Sequence, residues 1–184
     1  MQSLLDKLPF QRTSRTVLVN NLAVEINSFQ ILVWVAICQQ GQVEYDHKAP
    51  LVPAILDTGF NGYFCIREEQ LRAWAGLDPR LLPSLHTGRT PRGIATVRRA
   101  NIWLHRNVAR SPEPLRLNPF QMELDDGIIV YSKLPPSPQH DLRPRMPLLG
   151  MRAFRRNELL LQIDFKRELV NLKKPRLFQI SFGI

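Results

Sequence analysis

The sequence predicts a mainly β fold, and three observations support this prediction. Fifteen prolines against nine glycines favour short segments with rigid connections over long helices. Most apolar runs are short and rich in β-branched residues, as expected of strands. Only two segments show a helical pattern, and both are brief. At 184 residues the chain is long enough for one domain with a hydrophobic core.

The N-terminal part is predicted to contain four strands followed by a helix over residues 67–76. In that helix Leu71, Trp74 and Ala75 fall on one face. The glycine at its end, Gly76, favours termination there because glycine readily adopts a left-handed backbone. The four predicted strands lie at residues 16–26, 31–37, 50–56 and 63–66.

The C-terminal part is predicted to consist of strands, one short helix and a proline-rich loop. A hairpin is expected over residues 85–104, with a long second strand at residues 93–105. The loop covers residues 135–147, and the helix follows at residues 151–156. From Phe178 to the C-terminus apolar and polar side chains alternate, which is typical of a strand with one buried face. Further strands are predicted at residues 115–124, 127–132, 159–165 and 168–172.

The formal charge of +9 is unevenly spread, with a net +7 over residues 79–112 and a net +5 over residues 133–156. Residues 79–112 contain seven arginines and no acidic residue. Arginine is suited to phosphate recognition, so this segment is compatible with nucleic-acid binding. A solvated strand face explains the same charges equally well. No zinc-finger spacing, RNA-recognition peptide or basic heptad array supports the first interpretation, so nucleic acid is not the expected partner.

Several classes of protein are excluded by what the sequence lacks. The longest apolar run, from Ile31 to Cys38, is too short for a membrane-spanning helix, and no membrane partner is expected. The N-terminus does not have the pattern of a signal peptide. Two cysteines, Cys38 and Cys65, cannot form a disulfide framework, and we expect a reduced, cytoplasmic setting. The histidines show no metal-binding spacing with these cysteines, so neither a metal nor another cofactor is expected.

The tripeptide Asp57-Thr58-Gly59 is the candidate for chemistry. Alone it is a weak signal, because aspartate and glycine are both common in turns. Its context is more informative: it directly follows an apolar segment, residues 50–56, that reads as a buried strand. A carboxylate at the end of such a strand is costly to bury unless it has a partner or a function.

A second apolar motif strengthens this interpretation. Leu148-Leu149-Gly150 precedes the short helix, and the strand around Leu161-Gln162-Ile163-Asp164-Phe165 follows it. In this order the two motifs and their flanks resemble the retropepsin-like aspartic proteases, over roughly residues 30 to 173. In that family the Asp-Thr-Gly turn lies against an apolar-apolar-Gly loop. The resemblance implies a closed β-barrel with one or two short helices and one half of an active site per chain.

The resemblance also implies a mechanism and a set of site residues. The chain has one Asp-Thr-Gly, so two chains would each contribute an Asp57 carboxylate, one acting as general base on a water and the other as acid. Thr58 would hydrogen-bond across the dimer axis, and Gly59 would bring its backbone N–H to the carboxylate. Leu148, Leu149 and Gly150 would support this turn. The implied activity is that of an aspartic endopeptidase, with a peptide or protein as substrate and a homodimer as the active form.

The predicted hairpin occupies the position of the family's flap in the chain order. Its arginines, if close to the cleft, would favour acidic peptides. The assignment is positional, because the hairpin does not match the family residue by residue. The candidate flap residues are Gly88, Arg89, Thr90, Pro91, Arg92 and Gly93.

The resemblance divides the chain into three parts. Residues 1–28 are an N-terminal extension or dimer strand, residues 29–174 the protease domain, and residues 175–184 a C-terminal dimer strand. An alternative function stays open: a catalytically silent module of the same fold that serves in dimerisation or in binding peptide or nucleic acid. The intact Asp57-Thr58-Gly59 favours the enzyme, because a binding module does not need a buried carboxylate.

Overall fold

The computed structural model describes residues 1–41, 44–90, 93–132 and 146–175. Strands account for 54% of these residues and the two helices are short, so the mainly β prediction is confirmed. The described residues form fourteen strands: β1 (Gln2–Pro9), β2 (Arg15–Val19), β3 (Leu22–Ile26), β4 (Ile31–Gln39), β5 (Val52–Asp57), β6 (Phe64–Arg67), β7 (Ser84–Thr90), β8 (Gly93–Arg98), β9 (Ala100–Asn107), β10 (Pro114–Met122), β11 (Ile128–Tyr131), β12 (Leu148–Gly150), β13 (Leu160–Asp164) and β14 (Leu169–Lys174).

The helices among the described residues are α1 (Glu68–Ala75) and α2 (Met151–Arg156), and a 3₁₀ turn covers Pro79–Leu81. Helix α1 buries Leu71, Trp74 and Ala75, as the sequence predicts. The helix ends at Gly76, which has a left-handed φ of 66°. This confirms the predicted end of the helix.

The strands of the described residues form three sheets. A nine-stranded sheet has the order β10-β9-β4-β5-β12-β6-β11-β8-β7. A three-stranded sheet has the order β1-β14-β13, and β2 pairs only with β3. Most neighbours are antiparallel, but β12 runs parallel to β5 and β11 runs parallel to β6. The parallel pair of β12 and β5 holds the site described below.

The nine-stranded sheet curls but does not close among the described residues. One residue, Arg99, joins β8 to β9, so the adjoining ends of these strands are at most about 7 Å apart. Yet β8 lies near one end of the strand order and β9 near the other. The sheet must therefore bend back on itself, with β10 and β7 as its edges. The closed β-barrel expected from the resemblance is not found within these residues.

The prediction of two long continuous strands is wrong, because each is interrupted in the structure. Residues 16–26 form the hairpin β2–β3, which turns at Asn20 and Asn21, both with positive φ (47° and 65°). Asparagine tolerates this backbone, and two such residues make a tight hairpin turn. Residues 93–105 divide at Arg99, so the hairpin predicted over residues 85–104 contains only β7 and β8.

Strand β1 belongs to the body of the fold. It pairs antiparallel with β14 and buries Leu4, Leu5 and Leu8 in the main core. The structure therefore uses the first ten residues within the chain's own core, although the sequence assigned residues 1–28 to an extension or dimer strand. The C-terminal segment predicted as a dimer strand, residues 175–184, lies outside the described residues except for its first.

Candidate active site

Asp57 is the last residue of β5, a strand whose interior is fully apolar. Val52, Ala54, Ile55 and Leu56 are all buried, which confirms the predicted buried strand. The Asp57 side chain itself is half-buried, at the point where the strand leaves the sheet. An ionisable group in this position is fixed by the rigid strand and still reaches solvent. Both properties are needed in a carboxylate that acts on a substrate.

The turn after β5 points a backbone donor at this carboxylate. The Gly59 N–H donates to Asp57 Oδ1 at 2.8 Å, the contact that the resemblance implies for Gly59. A Cβ at position 59 would lie 3.3 Å from the same oxygen, so a larger residue would press on the carboxylate. The Phe60 N–H donates to the Asp57 carbonyl oxygen at 3.3 Å and closes the turn.

Strand β12 lies directly beside this turn. Leu148 pairs with Ile55, Leu149 with Leu56 and Gly150 with Asp57, all in parallel register. On its other side β12 pairs antiparallel with β6, the strand that follows the turn. The structure thus inserts Leu148–Gly150 between the two strands joined by the Asp57 turn.

Gly150 joins β12 to helix α2 at a point with no room for a side chain. A Cβ there would overlap the backbone carbonyl oxygens of Phe60 and Gly62. These two carbonyls accept hydrogen bonds from the first N–H groups of α2, from Met151 at 3.0 Å and from Arg152 at 3.2 Å. The turn after Asp57 therefore caps the helix, and the helix holds the turn.

A cavity of about 340 Å³ opens beside the carboxylate. Asp57 and Thr58 contribute its polar wall, and its other walls are mainly apolar. Two of the lining phenylalanines, Phe29 and Phe165, are 60% and 70% exposed. Large apolar side chains gathered on a surface usually mark an interaction site. Sequence reasoning did not place either residue at the site: Phe165 was noted only as the end of the Leu161–Phe165 motif, and Phe29 lies in the turn before β4.

The described candidate flap residues lie on β7 and β8, at one edge of the large sheet, five and four strands from β5 in the strand order. Gly88, Arg89 and Thr90 belong to edge strand β7, which is exposed along its whole length, and Gly93 begins β8. None of these four residues lines the Asp57 cavity. Pro91 and Arg92 lie outside the described residues. The structure thus brings Asp57, Thr58 and Gly59 together with Leu148, Leu149 and Gly150, but not with the described part of the candidate flap.

The arginine-rich segment is spread over several elements. Arg98 donates from Nη1 to the Leu82 carbonyl oxygen at 2.7 Å, so this side chain is used within the fold. Arg89 is on the exposed edge strand β7, and Arg106 is in β9 on the opposite side of the strand order. No described arginine of residues 79–112 lines the Asp57 cavity.

The other potentially reactive side chains have structural surroundings that account for them. Both cysteines are buried, with Cys38 in β4 and Cys65 in β6. Asp125 accepts a hydrogen bond from the Tyr63 hydroxyl at 2.8 Å and pairs with Arg156 at 2.7 Å. Asp164 accepts the N–H groups of Lys166 and Arg167, so its carboxylate closes the turn between β13 and β14. In the part of the chain that the structure describes, no three histidine, cysteine, aspartate or glutamate side chains form a metal-binding group.

His105 is a buried histidine of β9, 1% exposed. Its Nδ1 donates to the Leu115 carbonyl oxygen at 2.8 Å, because a carbonyl can only accept. Burial lowers the pKa of His105, and the positive charge of Arg116 adds to this effect, against the opposing hydrogen bond to Leu115. The folded protein therefore favours the neutral imidazole, which fits a structural role at this position.

Comparisons with known proteins complete this description. Across the ranges that the structure describes, no helix is both long and apolar enough to cross a membrane. No family model matches the chain, and no curated protein and no solved structure matches it at a significant level.

Proposed function

We propose that the protein is an aspartic endopeptidase that works as a homodimer, with Asp57 of each chain in one shared site. The observation that supports this most is the pairing of Ile55–Asp57 with Leu148–Gly150, together with the Gly59 N–H on Asp57 Oδ1. A carboxylate fixed on a rigid strand, oriented by a backbone donor and open to a cavity, is suited to activating a water.

The second carboxylate is proposed to come from a second chain, because the sequence contains one Asp-Thr-Gly. Two adjacent carboxylates do not both ionise readily, which is an established property of aspartic proteases. The ionised Asp57 takes a proton from the water as the water attacks the peptide carbonyl. The protonated Asp57 of the other chain donates to the carbonyl oxygen.

The surface around Asp57 supports a chain–chain contact there. Phe29 and Phe165 expose large apolar areas on the same cavity that Asp57 lines. Phe165 also packs edge-on against Phe10, with ring centroids 6.0 Å apart, so it is held in place rather than free to fold inward. Burial of such side chains against a second copy would stabilise a dimer by about 1.5–3 kcal/mol each.

The test is cleavage of casein and of unstructured peptides between about pH 3 and 7 by the wild type and by Asp57→Asn. We expect activity in the wild type and none in Asp57→Asn, because the amide cannot accept the proton from water. Asp126→Asn is the matched control, since Asp126 is an exposed carboxylate that pairs with Arg152 at 3.3 Å.

Two outcomes would contradict the proposed endopeptidase activity and favour a catalytically silent module. One is equal cleavage by the wild type and Asp57→Asn, which would indicate a contaminating protease. The other is no cleavage by a wild-type protein shown to be dimeric. Retention on a heparin or DNA column at modest salt would then distinguish nucleic-acid binding from peptide binding.

A further inference from the structure

Residues 44–49, here called the 44–49 loop, lie between β4 and β5 in the chain and pack on β9. Leu104 of β9 faces the main core, whereas Trp103 belongs to a separate small cluster. His105 is two residues beyond Trp103 and therefore projects from the same side of the strand. The ring of Tyr45, in the loop, packs against both, with its centroid 5.7 Å from that of Trp103 and 5.3 Å from that of His105. The three rings form one contact group, here called the Tyr45 cluster.

Each ring of the Tyr45 cluster buries a polar atom that has no hydrogen-bond partner among the described residues. These atoms are Trp103 Nε1, His105 Nε2 and the Tyr45 hydroxyl oxygen. Trp103 is 8% exposed and His105 1% exposed, so bulk solvent does not reach them. Buried polar groups are nearly always hydrogen-bonded, because an unpaired one loses its bonds to water on folding. Three such atoms in one contact group indicate a partner that the described side chains do not supply.

The bonding capacities of these atoms select the chemistry of the partner. The indole N–H of Trp103 can only donate. His105 Nδ1 donates to the Leu115 carbonyl oxygen, so Nε2 of the neutral imidazole can only accept. An anion cannot donate to His105, and a cation cannot accept from Trp103. A water molecule can accept from Trp103, donate to His105 and bond to the Tyr45 hydroxyl, which takes either role.

We propose that the Tyr45 cluster binds one internal water molecule, which joins the 44–49 loop to β9. The side chains packed around Trp103 are small, namely Ala36, Cys38 and Ala49, and a single water needs little space. Buried waters typically make about three hydrogen bonds to groups that would otherwise be unpaired, which is the number of atoms available here. The proposal is independent of the proposed function, since it concerns the loop before β5 and the candidate active site lies after that strand.

Arg116 of β10 also attaches the 44–49 loop to the sheet. Its Nη1 donates to the carbonyl oxygens of His47 at 3.3 Å and Ala49 at 3.4 Å. Both distances exceed the usual value of about 2.9–3.0 Å, so these hydrogen bonds are weak. The ring contacts of Tyr45 do not fix the direction of its hydroxyl group. We therefore expect the bridging water to contribute a substantial part of the attachment of the loop to β9.

NMR detects the water directly in the full chain, with its tryptophans and histidines isotope-labelled. A long-lived bound water gives NOE and ROE cross-peaks of opposite sign, whereas exchange with bulk water gives peaks of the same sign. We expect opposite signs at the Trp103 indole proton and the nitrogen shift of an unprotonated imidazole at His105 Nε2. The Trp103 signal should persist in Tyr45→Phe, because a hydroxyl proton is then no longer present to imitate the water. Trp34, whose indole N–H donates to the Pro112 carbonyl oxygen at 3.3 Å, is the internal control and should lack the signal.

Trypsin measures how firmly the 44–49 loop is held. Lys48 is exposed but is followed by the buried Ala49, so cleavage after Lys48 requires the loop to open. When opening is rapid, the cleavage rate follows the open fraction. We expect Tyr45→Phe to accelerate this cleavage about fivefold, because it keeps the ring and removes the hydroxyl that bonds to the water. Tyr63→Phe is the matched control and should be cleaved at the wild-type rate, since the Tyr63 hydroxyl donates to Asp125 at 2.8 Å.

Opposite-signed cross-peaks at Trp103, together with faster cleavage of Tyr45→Phe alone, would support the bridging water. Peaks of the same sign, no peak, or a signal that disappears in Tyr45→Phe would show that no long-lived water is bound and would overturn the proposal. Equal cleavage after Lys48 in the wild type and Tyr45→Phe would overturn the link between the water and the loop. Faster cleavage of Tyr45→Phe and Tyr63→Phe alike would indicate a general loss of stability and would also contradict that link.

Discussion

Gly150 is the residue whose replacement the site should tolerate least. A Cβ at this position would overlap the carbonyl oxygens of Phe60 and Gly62, which are backbone atoms and cannot move alone. We expect Gly150→Ala to cost about 3 kcal/mol in the free energy of unfolding and to displace the turn after Asp57. Urea denaturation measures the first effect and peptide cleavage the second.

The matched control is Gly88→Ala. Gly88 is on the exposed strand β7, and a Cβ there would meet nothing within 4 Å. The change should alter the free energy of unfolding by less than about 0.5 kcal/mol. Equal stability of the two variants would contradict the packing described at the β12–α2 junction.

His105 should make the folded protein sensitive to acid. Burial holds the pKa of His105 below its unfolded value, so the unfolded chain takes up the proton first as the pH falls. Stability from the neutral imidazole is complete above about pH 6.5 and is lost as the pH falls through the lowered folded-state pKa. Thermal unfolding from pH 7.5 downward measures this loss.

His105→Asn tests the cause. The asparagine amide keeps a donor for the Leu115 carbonyl oxygen but does not titrate. We expect its Tm to depend less on pH than that of the wild type below about pH 6.5. An unchanged slope would assign the acid sensitivity to other groups. Because the cleavage assay extends down to about pH 3, the same unfolding measurement separates loss of fold from loss of activity.

At the scale of elements, β1 is essential to the fold. Leu4, Leu5 and Leu8 are almost fully buried, and burial of each such side chain contributes about 1.5–3 kcal/mol. Their sum is comparable to the net stability of a typical domain, about 5–15 kcal/mol. We therefore expect deletion of residues 1–10 to abolish cooperative unfolding, as measured by calorimetry.

A milder change keeps this prediction testable in a folded protein. Leu5→Ala should cost about 2–5 kcal/mol, whereas Leu18→Ala, at a site that is 70% exposed, should cost less than about 0.5 kcal/mol. A stable, active chain without residues 1–10 would show instead that this strand is a removable segment.

The sequence predicts local elements better than their partners. Both helices and most strands follow from apolar periodicity, and the position of Gly76 predicts the end of α1. The turn at Asn20 was detectable, since two asparagines between apolar segments are a hairpin signal. The break at Arg99 was not, because it arises where consecutive strands join different sides of one curled sheet.

Contacts between segments that are distant in the chain could not be predicted from the sequence either. Asn107 accepts a hydrogen bond from the Asp6 N–H at 2.8 Å and donates to the Asp6 carbonyl oxygen at 3.0 Å, so it ties β9 to β1. Nothing in the residues around Asn107 predicts this partner. The Asp57 turn was predictable, because its residues are consecutive in the chain as Asp57-Thr58-Gly59. The cavity walls that Phe10, Phe29 and Ile163 supply could not be foreseen.

For the whole molecule, one Asp-Thr-Gly per chain means that the proposed active site needs two chains. If each site needs an Asp57 from both, specific activity should rise with protein concentration through the dimerisation range. Phe165→Ser should shift that range to higher concentration, because it removes exposed apolar surface beside Asp57. Sedimentation velocity and peptide cleavage on the same dilution series measure the two effects. Unchanged activity per chain down to concentrations at which only monomer sediments would contradict the shared site.

A site shared by two chains is tested by a mixing experiment with wild-type and Asp57→Asn chains. After subunits exchange at constant total protein, a site built from two Asp57 carboxylates predicts activity proportional to the square of the wild-type fraction. An equal mixture would then retain about one quarter of the wild-type activity. Activity that falls in direct proportion, with about one half remaining, would show that each chain acts alone and would contradict the shared active site.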